Sequence, residues 1–93
     1  MKKVVINDIN YELIEDDNCF DLDEVKEKLN DTDYFSPFDY IFGDYSYDKV
    51  RLKGFYDKKN EKVKDINNIE NIDNYKKNYC SYGSKTFLLK KVN

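Results

Sequence analysis

FDYIFGDYSYDKVRLKGFY, residues 38–56, holds seven aromatic residues and the only arginine of the chain. Its first half alternates Phe38, Tyr40 and Phe42 with Asp39, Ile41 and Gly43. Its second half alternates Val50, Leu52, Gly54 and Tyr56 with Lys49, Arg51, Lys53 and Phe55. A period of two is the mark of a strand, so the stretch predicts a β-ribbon. With residues 44–48 as a five-residue loop, Phe42 faces Val50 and Tyr40 faces Leu52 on an apolar side. Asp39 then faces Lys53, and Ile41 faces Arg51, on the other side. In that register the even positions build core. The odd positions present Lys49, Arg51 and Lys53, and the tip carries Tyr45 and Tyr47 between Asp44 and Asp48.

The flanks supply the rest of the fold. KKVVINDINYELI, residues 2–14, predicts a hairpin about Asn7-Asp8. Pairing Ile6 with Ile9 sets Val4 against Tyr11 and Lys2 against Leu13, with Lys3 opposite Glu12 as a cross-strand charge pair. FDLDEVKEKLN, residues 20–30, carries a helix start: Asp21 as N-cap, Glu24 closing the capping box, and Phe20 with Val25 as the staple. Leu22, Val25 and Leu29 form its buried stripe. Residues 57–65 read as a charged turn with a short strand around Val63. A second helix is predicted over 68–80 with Ile69, Ile72, Tyr75 and Tyr79 as its stripe and Gly83 as a left-handed stop. TFLLKKV, residues 86–92, is a final strand. The order is ββαββαβ: one α+β domain over 1–93, a mostly antiparallel sheet with two covering helices.

Composition narrows the chemistry. The chain is 93 residues long, 40% hydrophobic and 38% charged, with fifteen Phe and Tyr to supply a core. Net charge is −3, which argues against a dedicated nucleic-acid binder while leaving room for a local basic patch. Alanine, glutamine, tryptophan and histidine are all absent, and Lys, Asn, Ile and Tyr abound, the bias that AT-rich coding produces. No segment reads as an export signal or a membrane span. With Cys19 and Cys80 read as reduced thiols, the expected location is the cytoplasm.

Without histidine, Ser–His–Asp and Cys–His catalysis and histidine-bearing zinc sites are excluded within this chain. Two distant cysteines cannot make a four-thiolate site, and the Asp-rich pieces DLDE and NDTD lack the spacing of a calcium loop. No metal or cofactor is therefore expected. Cys80 falls near a helix C-terminus, where the dipole disfavours a thiolate, so it reads as a structural thiol.

YIFGDYSYDKVRLKGF, followed at the helix exit by YCSYG and then FLLKK, resembles the YutD-like family, small proteins of low-GC Gram-positive bacteria. The likeness runs from about residue 11 to 92. Gly43, Asp44 and Tyr47 match the family's Gly-Asp-Trp-Gly-Tyr loop, while Tyr45 and Ser46 replace its Trp and Gly. Ser84 stands where the family often has a second cysteine, which counts against an obligatory disulfide or metal role. The resemblance implies the fold class and the cellular setting, and carries no activity.

The residues leave three functions open. The leading one is a non-enzymatic cytoplasmic module that binds a protein partner through Asp44, Tyr45, Tyr47, Lys49, Arg51 and Lys53, with Tyr82 at its margin. The second is contact with RNA through the same patch, extended by Lys58, Lys59 and Lys62. The third is a histidine-free enzyme using Asp44, Asp48 and Lys53.

Overall fold

A computed structural model describes residues 2–30, 32–46, 49–80 and 83–92. Its elements run β1 (Lys2–Ile6), β2 (Ile9–Asp16), α1 (Leu22–Leu29), β3 (Tyr40–Ser46), β4 (Lys49–Phe55), α2 (Ile72–Tyr79) and β5 (Thr86–Lys91). The order is the ββαββαβ that the periodicity predicts. All strand pairs are antiparallel, in the spatial order β1-β2-β5-β3-β4.

The β1–β2 hairpin keeps the expected register at every pair, Lys3 opposite Glu12 and Ile6 opposite Ile9 included. Asn7 and Asp8 both take positive φ, 53° and 64°, the conformation that a two-residue turn between right-twisted strands demands. At α1, Asp21 accepts from the backbone N–H groups of Asp23 and Glu24 as predicted. Glu24 does not close a capping box. Its carboxylate turns to the sheet and accepts the Tyr45 hydroxyl at 3.0 Å.

The ribbon at 38–56 departs from its predicted register. Phe42 lies opposite Lys53 instead of Val50, Tyr40 opposite Phe55, Asp44 opposite Arg51 and Tyr45 opposite Val50. The strands extend to Ser46 and from Lys49, leaving two residues, 47 and 48, where a five-residue loop was expected. The pairing therefore slides by three positions, an odd number, which turns one strand over relative to the other. Ile41, Gly43 and Tyr45 share a face with Val50, Leu52 and Gly54. Phe42 and Asp44 share the opposite face with Arg51, Lys53 and Phe55.

Two cores result, one on each side of the sheet. Val25 and Leu29 of α1 close over Val4, Ile6, Tyr11, Ile41, Val50, Phe87 and Leu89. Ile69, Ile72 and Tyr75 close over Phe42, Phe55 and Leu88. Ile41 and Phe42, adjacent in sequence, are both wholly buried because β3 is an inner strand covered on both faces. Gly43 has a packing reason: a Cβ there would overlap the ring of Phe87, its partner across the β3–β5 ladder.

The remaining segments hold less regular structure than predicted. Residues 57–64 form turns with no strand at Val63, whose N–H donates to Asn60 O. The contact expected there comes later, as a parallel bridge between Tyr56 and Asn68. The predicted 68–80 helix begins as a 3₁₀ turn, Ile69–Asn71, capped by Asn68 accepting from Glu70 N–H. It becomes α-helical only at Ile72 and ends at Tyr79. Gly83 takes φ 78°, the left-handed value predicted for it.

Candidate functional site

The register that moves Phe42 also brings Asp44 and Arg51 together. As directly paired residues on one face, they form a forked ion pair: Arg51 Nη2 lies 2.6 Å from Asp44 Oδ2, and Nε donates to Oδ1 at 3.3 Å. The pair is lopsided. The Asp44 side chain is 5% exposed and the Arg51 side chain 54%. Asp44 thus acts as an anchor beneath a guanidinium that still meets solvent. Arg51 Nη2 also donates to Tyr79 O at 3.4 Å, tying β4 to the end of α2.

Around this pair the α2 face is aromatic. Tyr75 meets Phe42 and Phe55 edge-on, with ring centroids 5.8 and 5.4 Å apart. Tyr79 stacks on Tyr75 at 5.0 Å and is 58% exposed. Lys53 Nζ lies 5.5 Å from the Phe55 ring centre, a cation–π contact that replaces the predicted pairing with Asp39. Asp39 instead accepts from Asp57 N–H and Asn60 Nδ2. Lys49 and Lys53 form no ion pair among the described residues. Beside the tyrosines an open trough of about 580 Å³ is lined by Asp65, Ile66, Asn71, Asn74, Asn78 and the Tyr75–Tyr79 stack.

Cys80 caps α2 and touches the same anchor. Burial first, then the Asp44 carboxylate, push its thiol above the ordinary range. Cys19 is pushed up by burial and by Asp16 and Asp17. Both are free and half-buried, and both are held in the protonated, weakly nucleophilic form at neutral pH.

Tyr45 belongs to the other side. It packs against the α1 core, and burial together with its bond to Glu24 pushes its phenol up to about 12. The sequence puts Tyr45 and Arg51 on one patch, but the odd shift in register separates them across the sheet. Tyr47, Asp48 and Tyr82, the other aromatic and acidic members of that patch, lie outside the described residues. Asp44 is brought to Arg51, while Lys49, Arg51 and Lys53 keep the common face predicted for them. Tyr79, predicted on the buried stripe of the second helix, is instead exposed next to Arg51, and Ile66 is exposed in the trough that Tyr79 also lines. A two-residue loop would have paired Asp44 with Arg51, and their opposite charges were the available signal for it.

Among the described residues no group of three metal-binding side chains converges, and no helix is long and apolar enough to cross a membrane. The profile of the family described as "YutD-like: Putative antitoxin YutD-like" matches residues 5–90. The chain is 34% identical over 90 residues to "Putative antitoxin YutD" of Bacillus subtilis (strain 168), covering 96% of this chain and 97% of the relative. It also matches the solution NMR structure of protein yutD from B. subtilis with a TM-score of 0.78 and 31% identity, over 100% of this chain and 84% of that one.

Proposed function

The chain belongs to the YutD-like family, and from that footing we propose that it is a small non-enzymatic binding module of the cytoplasm that engages a protein partner through the cationic face of β4. Arg51 is its anchor and Lys49 and Lys53 flank it. The observation that carries this reading is the lopsided Asp44–Arg51 pair: a buried carboxylate fixes the guanidinium while about half of the Arg51 side chain stays exposed. A pre-oriented arginine loses little conformational freedom on binding, and arginine and tyrosine are the residue types that dominate interface energetics. The description of the B. subtilis relative, "Putative antitoxin YutD", supports a protein as the partner.

One observation favours RNA as a second reading: Lys49, Arg51 and Lys53 share a face with the exposed Tyr79 ring, the combination of cation and stacking surface that single strands use. Cross-linking of the purified protein in lysate, with and without nuclease, separates the two. A protein retained after nuclease by the wild type, and lost in Lys49→Glu and Arg51→Gln, is the expected result. Retention that disappears with nuclease and falls steeply with salt supports RNA instead. If nothing specific is retained, both readings fail.

A further inference from the structure

The trough beside α2 has a lining unlike the β4 face: three amides, two aromatic rings, an isoleucine, one carboxylate and no cation. Asn71, Asn74, Tyr75, Asn78 and Tyr79 recur at the spacing that puts side chains on one side of a helix. At the helical rise they extend over about 12 Å. Asp65 and Ile66, from the 3₁₀ turn Asp65–Asn67, complete the lining. The enclosed space of about 580 Å³ falls within the usual range of small-ligand clefts. Its walls are held in place without a ligand. Phe42 and Phe55 meet Tyr75 edge-on, and Tyr79 stacks on Tyr75 with the two rings 28° apart. Asn71 Nδ2 donates to Asp65 O at 3.0 Å, which ties the turn to the start of α2. The groups that could recognise a ligand remain free. Among the described residues, the amides of Asn74 and Asn78 and the carboxylate of Asp65 have no hydrogen-bond or ion-pair partner in the protein. Ile66 and Tyr79 stay exposed in the same trough, at 60% and 58%.

We propose that this trough binds an adenine nucleoside that carries no phosphate. The base lies on Tyr79 and adds a third ring to the Tyr75–Tyr79 stack. An asparagine amide sets a donor beside an acceptor, the fork that matches the amino group and ring nitrogen on an adenine edge. Asn74 and Asn78, one helical turn apart, supply that fork beside the stack. The Asp65 carboxylate accepts from the ribose hydroxyls, a pairing that acidic side chains make with ribose. The same lining selects against other ligands. With a carboxylate and no cation in it, a phosphate would meet repulsion and no compensating charge. A wholly apolar ligand would cover the amides and leave them unbonded. The inference is independent of the partner proposed for the β4 face, because none of Lys49, Arg51 and Lys53 lines the trough.

The test is an NMR titration of isotope-labelled protein at physiological salt with adenosine. Adenosine monophosphate, uridine and the neutral disaccharide maltose serve as comparisons. The expected result is shifts clustered at Ile66, Asn74, Tyr75, Asn78 and Tyr79, with adenosine bound more tightly than the other three. Tyr79→Ala should weaken adenosine by about tenfold, while Tyr79→Phe, which keeps the ring, should retain it. Asn78→Ala should bring adenosine and uridine closer in affinity. Asp65→Asn should narrow the gap between adenosine and its monophosphate, since it removes the repelling charge. All of these positions are exposed, where folding tolerates change. Absence of shifts, shifts elsewhere on the protein, or binding of the monophosphate or of maltose as tight as that of adenosine overturns the proposal.

Discussion

Removing either half of the Asp44–Arg51 pair should cost unequal amounts, and the imbalance follows from where each charge sits. Breaking a fully buried ion pair costs about 3–5 kcal/mol, because it leaves an uncompensated charge in the interior. A fully exposed pair contributes only about 0–1 kcal/mol. Here the carboxylate is 5% exposed and the guanidinium side chain 54%, so the pair falls between these limits. Arg51→Met, which keeps the apolar stem but strands the buried carboxylate, should destabilise the protein by about 2 kcal/mol, or roughly 8–16 °C in Tm for a domain of this size. Asp44→Asn leaves the guanidinium free to turn into water and should cost only about 1 kcal/mol. The double variant should be less unstable than the sum of the two, with a coupling of about 1.5 kcal/mol. Urea unfolding of all four proteins, followed by circular dichroism, supplies the cycle. A coupling below about 0.5 kcal/mol, the level of an ordinary surface pair, would refute the anchor and leave Arg51 as one more solvated cation.

Two further outcomes test the packing. Gly43→Ala should destabilise by about 3 kcal/mol or more, because the new methyl would overlap the Phe87 ring, itself wholly buried and packed edge-on against Phe20; thermal unfolding at the wild-type midpoint would contradict the β3–β5 register. The Tyr45 phenol, held up at about 12 by burial and by Glu24, should be among the last tyrosines to ionise in an ultraviolet titration. Since its folded value lies above the ordinary phenol value of about 10, its contribution to stability is complete below about pH 10. That contribution is lost as the pH rises from about 10 toward the folded value of about 12. Tyr45→Phe should flatten the alkaline limb of the stability profile, and an unchanged limb would show that burial and the Glu24 bond do not together hold the phenol up.

The β1–β2 hairpin and α1 were legible because their signals are local. Asn7 and Asp8 fix the turn, a period of two with one clear apolar face fixes the register, and Asp21 fixes the helix start. The 38–56 ribbon was legible as two strands but not in its pairing. An inner strand covered on both faces carries apolar residues at odd and even positions alike, so Ile41 and Phe42 gave alternation no face to choose. The α2 segment was legible in position but not in length, because its asparagines satisfy the local backbone as readily in a 3₁₀ turn as in a helix.

The candidate site divides along the same line. The common face of Lys49, Arg51 and Lys53 follows from two-residue periodicity within one strand, and sequence alone determines it. That Asp44 lies beneath Arg51, that Tyr45 faces α1 instead of Arg51, and that the end of α2 meets Arg51 all depend on how β3 lies against β4 and how α2 lies over both. Local propensity sets what each segment becomes. Which segments meet is decided by the burial of two cores at once, a sum over long-range contacts that no single stretch of sequence contains.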